Sequence, residues 1–174
     1  SGDPGRARRV YEALRGGRTG RMPMGEMEYE MGMNGADGIG GYTGGAAGAA
    51  RWVSYVSVPD VDKTYSAALA AGAKSESKPA DYGPVGRGAA IVDPTGARIS
   101  LWKSAREDQP DRESTPAGGW VWNELSTSDT KAALAFYTEL IGYTQDSMDM
   151  GPGGTYHLLK TGDRGRAGMM QSID

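Results

Sequence analysis

The chain contains no cysteine and only one histidine, His157, among its 174 residues. The absence of cysteine excludes disulfide bonds, thiolate zinc sites and cysteine nucleophiles. A single histidine excludes every site that needs two imidazoles from one chain, and it confines a Ser-His-Asp triad to the surroundings of His157. Much of the usual repertoire for catalysis and metal binding is therefore missing.

The chain also lacks a large excess of either charge and any long apolar run. The chain has 19 basic and 22 acidic residues, a formal net charge of -3 and a pI near 5.2. The basic residues do not gather into one patch, so the sequence offers no electrostatic footprint for a nucleic acid. No apolar run approaches the roughly 18 residues of a membrane span. We therefore expect a soluble, cytoplasmic protein with neither a nucleic-acid nor a membrane partner.

The sequence does contain an internal repeat. Residues 10–16 and 136–142 share the pattern apolar-Tyr-x-x-Leu-x-Gly, and residues 29–41 match residues 156–168 at Tyr29, Gly35, Gly38 and Gly41. The first pair of segments is 126 positions apart and the second pair is 127 positions apart. An insertion of one residue in a loop accounts for the difference. The chain is therefore predicted to hold two copies of one structural unit.

Each copy is predicted to form a helix that ends at a glycine, followed by three short strands. A leading strand is predicted only for the second copy, at residues 119–126, where Asp129 then caps the helix. Asp3 is the equivalent of Asp129, so the first copy lacks its leading strand. The three strands of each copy are predicted at residues 19–24, 27–33, 38–43, 143–149, 154–160 and 165–171.

A third unit of the same kind lies between the two copies. It has a strand rich in β-branched and aromatic residues, a helix that starts at Pro59-Asp60 and ends at Gly72, and three further strands. These strands are predicted at residues 52–58, 74–79, 86–92 and 97–103. The domain plan is an incomplete αβββ unit, a complete βαβββ unit, a polar linker and a third βαβββ unit, at residues 1–50, 51–104, 105–118 and 119–174.

Several short motifs recur in order along the chain. They are Trp122-x-Glu124-Leu125-x-Thr127-x-Asp129, Phe136-Tyr137-x-x-Leu140-x-Gly142-Tyr143, Gly168-Met169-Met170, Trp52-x-x-Tyr55-Val56-x-Val58-x-Asp60, Val85-Gly86-Arg87 and Asp93-Pro94-x-Gly96. In their order and spacing, the chain resembles the two-domain branch of the vicinal-oxygen-chelate superfamily, which includes glyoxalases, bleomycin-resistance proteins and dioxygenases.

The resemblance implies an α+β fold in which βαβββ units pair into a curved mixed sheet around a cavity, with the helices outside. The first and middle units would pair as one domain. The third unit would then leave a sheet edge open, and open edges recruit partners. Two expectations stay open: a homodimer with exchanged units, or a fragment of a longer four-unit chain.

The resemblance also implies where a metal would bind, because metal-dependent relatives take ligands from the first and last strands of the units. Those positions fall on Trp122, Val53 and Ser100 in this sequence. Neither tryptophan nor valine can donate to a metal, so we expect no cofactor. A relocated divalent metal is the alternative, with Glu124 joined by His157 and Gln171.

We therefore predict a metal-free cavity that binds a small aromatic or hydrophobic ligand through Trp122, Glu124, Tyr55, Trp102 and Ser100. One alternative is an enzyme of the lyase, isomerase or dioxygenase type, either metal-dependent or with Glu124 as a catalytic general base. Another is a scaffold without a ligand. Replacing Glu124 with glutamine separates binding from catalysis, because only an enzyme would lose turnover.

Overall fold

A computed structural model describes residues 3–24, 27–44, 50–108 and 110–172. Small parts of the predicted first unit, of the linker and of the third unit lie outside these ranges. The chain divides into two compact units. The first compact unit holds residues 1–52, 82–85 and 107–121, and the second holds residues 53–81, 86–106 and 122–174.

Among its described residues, the first compact unit has one α-helix, a short 3-10 helix at Gly83–Val85 and an antiparallel sheet in the order β1-β2-β3. Its elements are α1 (Pro4–Arg15), β1 (Arg18–Met24), β2 (Met27–Asn34) and β3 (Asp37–Tyr42). Residues from the predicted linker pack onto this sheet: Asn34 donates to the carbonyl of Ala117 (2.9 Å), and Arg112 pairs with Asp37 (2.8 Å). Arg112 and Ala117 of the predicted linker therefore lie beside the β2–β3 turn.

The second compact unit holds two copies of the βαβββ arrangement, each with a four-stranded mixed sheet. The middle repeat consists of β4 (Ser54–Ser57), α2 (Val61–Ala70), β5 (Lys74–Asp81), β6 (Gly86–Val92) and β7 (Arg98–Ser104). The third repeat consists of β8 (Glu124–Thr127), α3 (Thr130–Ile141), β9 (Thr144–Asp149), β10 (Thr155–Thr161) and β11 (Arg164–Gln171). The strand orders are β4-β7-β6-β5 and β8-β11-β10-β9. Strand β4 runs parallel to β7, and β8 runs parallel to β11.

An aspartate caps the N-terminus of each of the three α-helices that the structure describes. The side chains of Asp3, Asp60 and Asp129 accept hydrogen bonds from backbone N–H groups three residues further on, at 2.8–3.0 Å. Gly16 and Gly142, with φ of 64° and 78°, end α1 and α3 in the left-handed region. The sequence therefore fixes the same helix boundaries in both copies of the repeat.

One hydrophobic core joins the middle and third repeats. Helices α2 and α3 contact each other, and apolar residues of both helices and both sheets form a single buried cluster. A buried polar contact crosses this core: the Tyr137 hydroxyl donates to Asp93 Oδ2 at 2.9 Å. The other oxygen of Asp93 accepts the backbone N–H groups of Thr95 and Ala97. Because both carboxylate oxygens of Asp93 accept hydrogen bonds, the contact stabilises the packing of the two repeats.

The predicted α+β class with repeated βαβββ units is confirmed, and most strands lie within two residues of their predicted positions. The leading strands were predicted too long: they begin at Ser54 and Glu124 rather than at residues 52 and 119. In the third repeat, the register of β10 with β11 shifts by one residue between Leu159 and Lys160, and the pairing continues beyond this bulge to Thr161 and Arg164. The pairing of the first and middle units and the exchanged-unit homodimer stay predictions.

Among the residues that the structure describes, no helix is long and apolar enough to cross a lipid bilayer.

Candidate functional site

In the third repeat, one face of the sheet is covered by α3 and the other is not. Leu159 and Met169 belong to the core beneath α3. Successive side chains of a strand alternate between faces. Tyr156, three positions before Leu159, and Gly168, one position before Met169, therefore lie on the opposite side. We call this side the third-repeat face. The cross-strand registers place Glu124, Met148, Tyr156, Gly168 and Met170 on it, and Trp122 joins them through its contact with Tyr156.

Tyr156 connects the polar atoms of this face. Its hydroxyl accepts a hydrogen bond from Trp122 Nε1 at 2.9 Å and donates one to Glu124 Oε2 at 3.0 Å. An indole N–H only donates and a carboxylate only accepts, so the direction of both bonds is fixed by the side chains themselves. The chain of bonds holds two aromatic rings and one carboxylate in a defined arrangement at the surface.

Glycine makes this arrangement sterically possible. A Cβ atom on Gly168 would overlap the Tyr156 ring, and it would lie 2.9 Å from Trp122 Nε1. A Cβ on Gly165 would lie 3.1 Å from the tip of the Trp122 indole. The two glycines of β11 therefore form a flat floor on which both aromatic side chains rest.

The environment of Tyr156 changes its acidity. Partial burial raises the pKa of the Tyr156 hydroxyl above its ordinary value; the bond from Trp122 opposes this effect and the Glu124 carboxylate adds to it. The hydroxyl therefore stays protonated at neutral pH. In that form it can donate to Glu124.

The middle repeat carries a similar surface on the side of its sheet away from α2. Ile99 and Leu101 of β7 pack in the core, so Ser100 and Trp102 lie on the other face. Tyr55 is opposite Ser100 in the register of β4 and β7, and its ring meets that of Trp102 edge to face, with centroids 6.1 Å apart. Gly88 provides the floor, because a Cβ there would lie 2.7 Å from the Trp102 ring. We call this set the middle-repeat face.

The five predicted ligand-binding residues thus fall on two sheets. Trp122 and Glu124 meet through Tyr156 on the third-repeat face, although Trp122 lies just before β8 and not within it. Tyr55, Ser100 and Trp102 share the middle-repeat face. Tyr55 is 60% exposed, whereas Ser100 is 8% exposed. A ligand on the middle repeat would therefore meet mainly the aromatic rings.

His157 and Gln171 lie on the side of the third-repeat sheet that carries α3. His157 Nδ1 is 2.9 Å from Ser147 Oγ, and Gln171 Nε2 donates to the carbonyl of Ser128 at 2.8 Å. His157 lines a shallow groove with α3 residues. The structure therefore does not assemble the alternative metal set in which these two residues join Glu124.

Sequence reasoning did not identify Tyr156 as a site residue. The signal was present in the repeat, because Tyr29 and Gly41 match Tyr156 and Gly168. The same contact occurs in the first compact unit, where a Cβ on Gly41 would overlap the Tyr29 ring. A tyrosine and a glycine at diagonal positions of neighbouring strands can be recognised as a packed pair.

The third-repeat face does not fit a divalent metal ion. Glu124 is its one carboxylate near the aromatic rings; the indole of Trp122 has no lone pair to offer, and the hydroxyl of Tyr156 is protonated. Elsewhere in residues 3–24, 27–44, 50–108 and 110–172, no three His, Cys, Asp or Glu side chains come close enough to hold a metal. This face therefore lacks the three or four donors that a divalent metal site needs.

Comparisons with known proteins identify relatives of the chain. No family model matches the sequence. Proteins of Mycobacterium bovis and Mycobacterium tuberculosis, both provisionally named glyoxylase CFP32, are 36% identical to the chain over 120 residues, 69% of the chain and 46% of their own length. The crystal structure of BphC, a halotolerant catechol dioxygenase, covers 97% of the chain with a TM-score of 0.61 at 17% identity, and 62% of that protein is matched. The chain belongs to the vicinal-oxygen-chelate superfamily.

Two further matches carry other names. The anthracycline biosynthesis protein DauV of Streptomyces sp. is 31% identical over 92 residues, which cover 52% of the chain and 33% of DauV. A glyoxylase/bleomycin resistance protein/dioxygenase domain from Frankia sp. matches with a TM-score of 0.50 at 18% identity, over 74% of the chain and 95% of the domain. The chain spans about half the length of the CFP32 proteins. Membership of the superfamily therefore predicts the fold, whereas the ligand has to be inferred from the side chains of the site.

Proposed function

We propose that the chain binds a small aromatic or hydrophobic molecule on the third-repeat face without the help of a metal ion. The observation that carries the proposal is the bond chain from Trp122 through Tyr156 to Glu124. It holds two aromatic rings in place at an accessible surface, and rings that are already ordered lose little entropy when a ligand stacks on them.

The surroundings of the bond chain support the proposal. Met148 and Met170 are the cross-strand neighbours of Tyr156, and Met148 is 52% exposed. Methionine side chains adapt to ligands of varied shape. A flat ligand would meet Trp122, Tyr156 and these thioethers on one side, with Glu124 as the polar anchor.

The middle-repeat face is proposed as a second ligand-contacting surface of the same kind. Tyr55 and Trp102 offer ring surface, and Gly88 keeps the indole flat against the sheet. The replacement Trp102→Ala would measure the contribution of this face to binding.

An enzyme is the second candidate, and the names of the CFP32 relatives favour it. In that case Glu124 would act as general base on a bound substrate. A carboxylate that serves this role is ordinarily buried, whereas Glu124 is exposed. Binding without turnover is therefore the better-supported function. Glu124→Gln distinguishes the two, because it would abolish turnover but only weaken binding.

The first experiment is elemental analysis of tag-free protein after expression with added nickel, zinc, manganese or iron. We expect no stoichiometric metal after gel filtration. One metal ion per chain, or per pair of chains, would overturn the metal-free proposal and place the enzyme candidate first.

The second experiment tests the site itself by NMR titration with 1-naphthylmethanol, a neutral planar aromatic. Tyr156→Phe keeps the ring but removes both hydrogen bonds, so we expect binding to weaken about threefold. Tyr29→Phe makes the same change at the equivalent position of the first repeat and serves as the matched control. Equal affinities of the two variants would contradict the placement of the site.

A further inference from the structure

The carboxylate of Glu124 is only partly used by the fold. Its Oε2 atom accepts the hydrogen bond from Tyr156, and no bond to Oε1 occurs among the residues that the structure describes. None of the ion pairs formed by those residues includes Glu124. A carboxylate has about four lone-pair positions, so several remain open to a ligand.

The other charges of the same face are already neutralised. Lys160 and Asp146 lie on the same side of the sheet as Tyr156, further along the strands, and they pair with each other at 2.9 Å. The pair leaves Glu124 as the uncompensated charge beside the aromatic rings. An anionic ligand would be repelled there, and a cation would be attracted.

The aromatic rings favour the same kind of ligand. The negative face of an indole or phenol ring attracts a cation placed within about 6 Å of its centroid. Trp122 is 38% exposed, and its indole is fixed by Tyr156 next to the carboxylate. The ring faces and the carboxylate therefore both favour a positively charged ligand, and the rings also offer a surface for stacking.

We propose that the ligand of the third-repeat face is a planar aromatic ring that carries an alkylammonium group. Its ammonium group donates to Glu124 Oε1, and its ring stacks against Trp122 and Tyr156. This inference rests on the proposed function, because it names the chemical class of molecule that the same site takes.

The experiment compares three naphthalene probes of different charge in NMR titrations of the whole chain. They are 1-naphthylmethylamine, 1-naphthylmethanol and 1-naphthylacetate, which share the ring and differ in the polar group. We expect the amine to bind most tightly and the acetate most weakly. Glu124→Gln should weaken the amine about fivefold, the effect of one exposed ion pair, and leave the alcohol nearly unchanged.

Glu139→Gln is the matched control, because Glu139 is an exposed residue of α3 and its replacement removes the same charge from the same compact unit. It should leave all three affinities unchanged. Salt provides a readout without mutation: raising it from about 0.01 M to about 1 M shortens the screening length from about 30 Å to about 3 Å and should weaken only the amine.

The possible failures are distinguishable. If the alcohol binds as tightly as the amine, or if the two glutamate variants behave alike, the cationic ligand class is wrong and the aromatic site stands. If none of the three probes binds, the proposed function itself is overturned, and the inference falls with it.

Discussion

The first and third repeats share one sequence pattern but bury it to very different degrees. Val10 of α1 is 55% exposed, whereas its equivalent in α3, Phe136, is 3% exposed. Leu14 is 75% exposed, and its equivalent, Leu140, packs against the core. None of the α1 residues is buried. The same spacing of apolar residues therefore produces a covered helix in one repeat and an open one in the other.

The difference shows that burial depends on the neighbour and not on the pattern. Helix α3 has the middle repeat against it, with α2 and Asp93 supplying apolar and polar contacts. The equivalent tyrosines follow the same rule. Tyr137 donates to buried Asp93, while Tyr11 accepts a hydrogen bond from Trp52 Nε1 at an exposed position. An amphipathic pattern specifies the helix, and the packing partner determines what the helix contributes to stability.

The largest expected effect is a loss of stability when the covered helix loses its main apolar side chain. Phe136→Ala should lower the free energy of unfolding by about 3–5 kcal/mol, because it leaves a cavity in the core. Val10→Ala, at the equivalent exposed position, should change it by no more than about 0.5 kcal/mol. Urea denaturation followed by circular dichroism measures both. Similar losses for the two variants would show that α1 has a partner that covers it.

The second comparison removes one hydroxyl group from each of the equivalent tyrosines. Tyr137→Phe leaves a buried carboxylate oxygen of Asp93 without its donor, at a cost of about 1–3 kcal/mol. Tyr11→Phe removes an exposed acceptor, which water can replace, and should cost less than about 0.5 kcal/mol. The same denaturation measurement applies to both variants. A larger loss for Tyr11→Phe would contradict the assignment of the buried contact.

Alkaline pH should weaken the covered helix through the same residue. Burial, with a further contribution from Asp93, raises the pKa of the Tyr137 hydroxyl far above its ordinary value. In the unfolded chain this hydroxyl ionises near pH 10, so its contribution to stability is complete below that pH and is lost as the pH rises further. The loss is about 1.4 kcal/mol for each pH unit above 10.

Denaturation at about pH 9 and about pH 11 measures this loss, which Tyr137→Phe should reduce. An identical pH dependence of the variant and the original chain would contradict the raised pKa.

The smallest expected effect concerns the glycines beneath the strand tyrosines. Gly168→Ala would push the Tyr156 ring off the sheet and break its bonds to Trp122 and Glu124. We expect binding of 1-naphthylmethylamine to weaken about fivefold, because an anchor of the site is displaced. Gly41→Ala displaces Tyr29 in the same way in the first repeat and should leave binding unchanged. Equal effects of the two variants would show that the ligand does not depend on the third-repeat face.

Much of the fold could be predicted from local sequence. The helix ends at Gly16 and Gly142 and the caps at Asp3 and Asp129 follow from short-range backbone chemistry, which does not depend on what packs nearby. The leading strands at residues 52–58 and 119–126 were predicted too long, because each pairs over only four residues with a last strand, β7 or β11, that is distant in sequence.

The candidate site was only partly predictable. Alternation along one strand placed Trp122 and Glu124 on the same face, and both contact Tyr156 there. Tyr156 was missed, because its role depends on the glycine of the neighbouring strand. The side of the sheet that His157 occupies could not be read from the strand itself, since either face of a half-polar strand can be the covered one.

The sequence by itself determined the order of the repeats, the helix boundaries and the positions of most strands. All of these depend on residues close together in the chain, where backbone conformation and capping act. Tertiary structure alone decided which repeat buries its helix and which tyrosine becomes the centre of the site. Those outcomes depend on contacts between distant segments, such as Tyr137 with Asp93 and Tyr156 with Trp122 and Glu124.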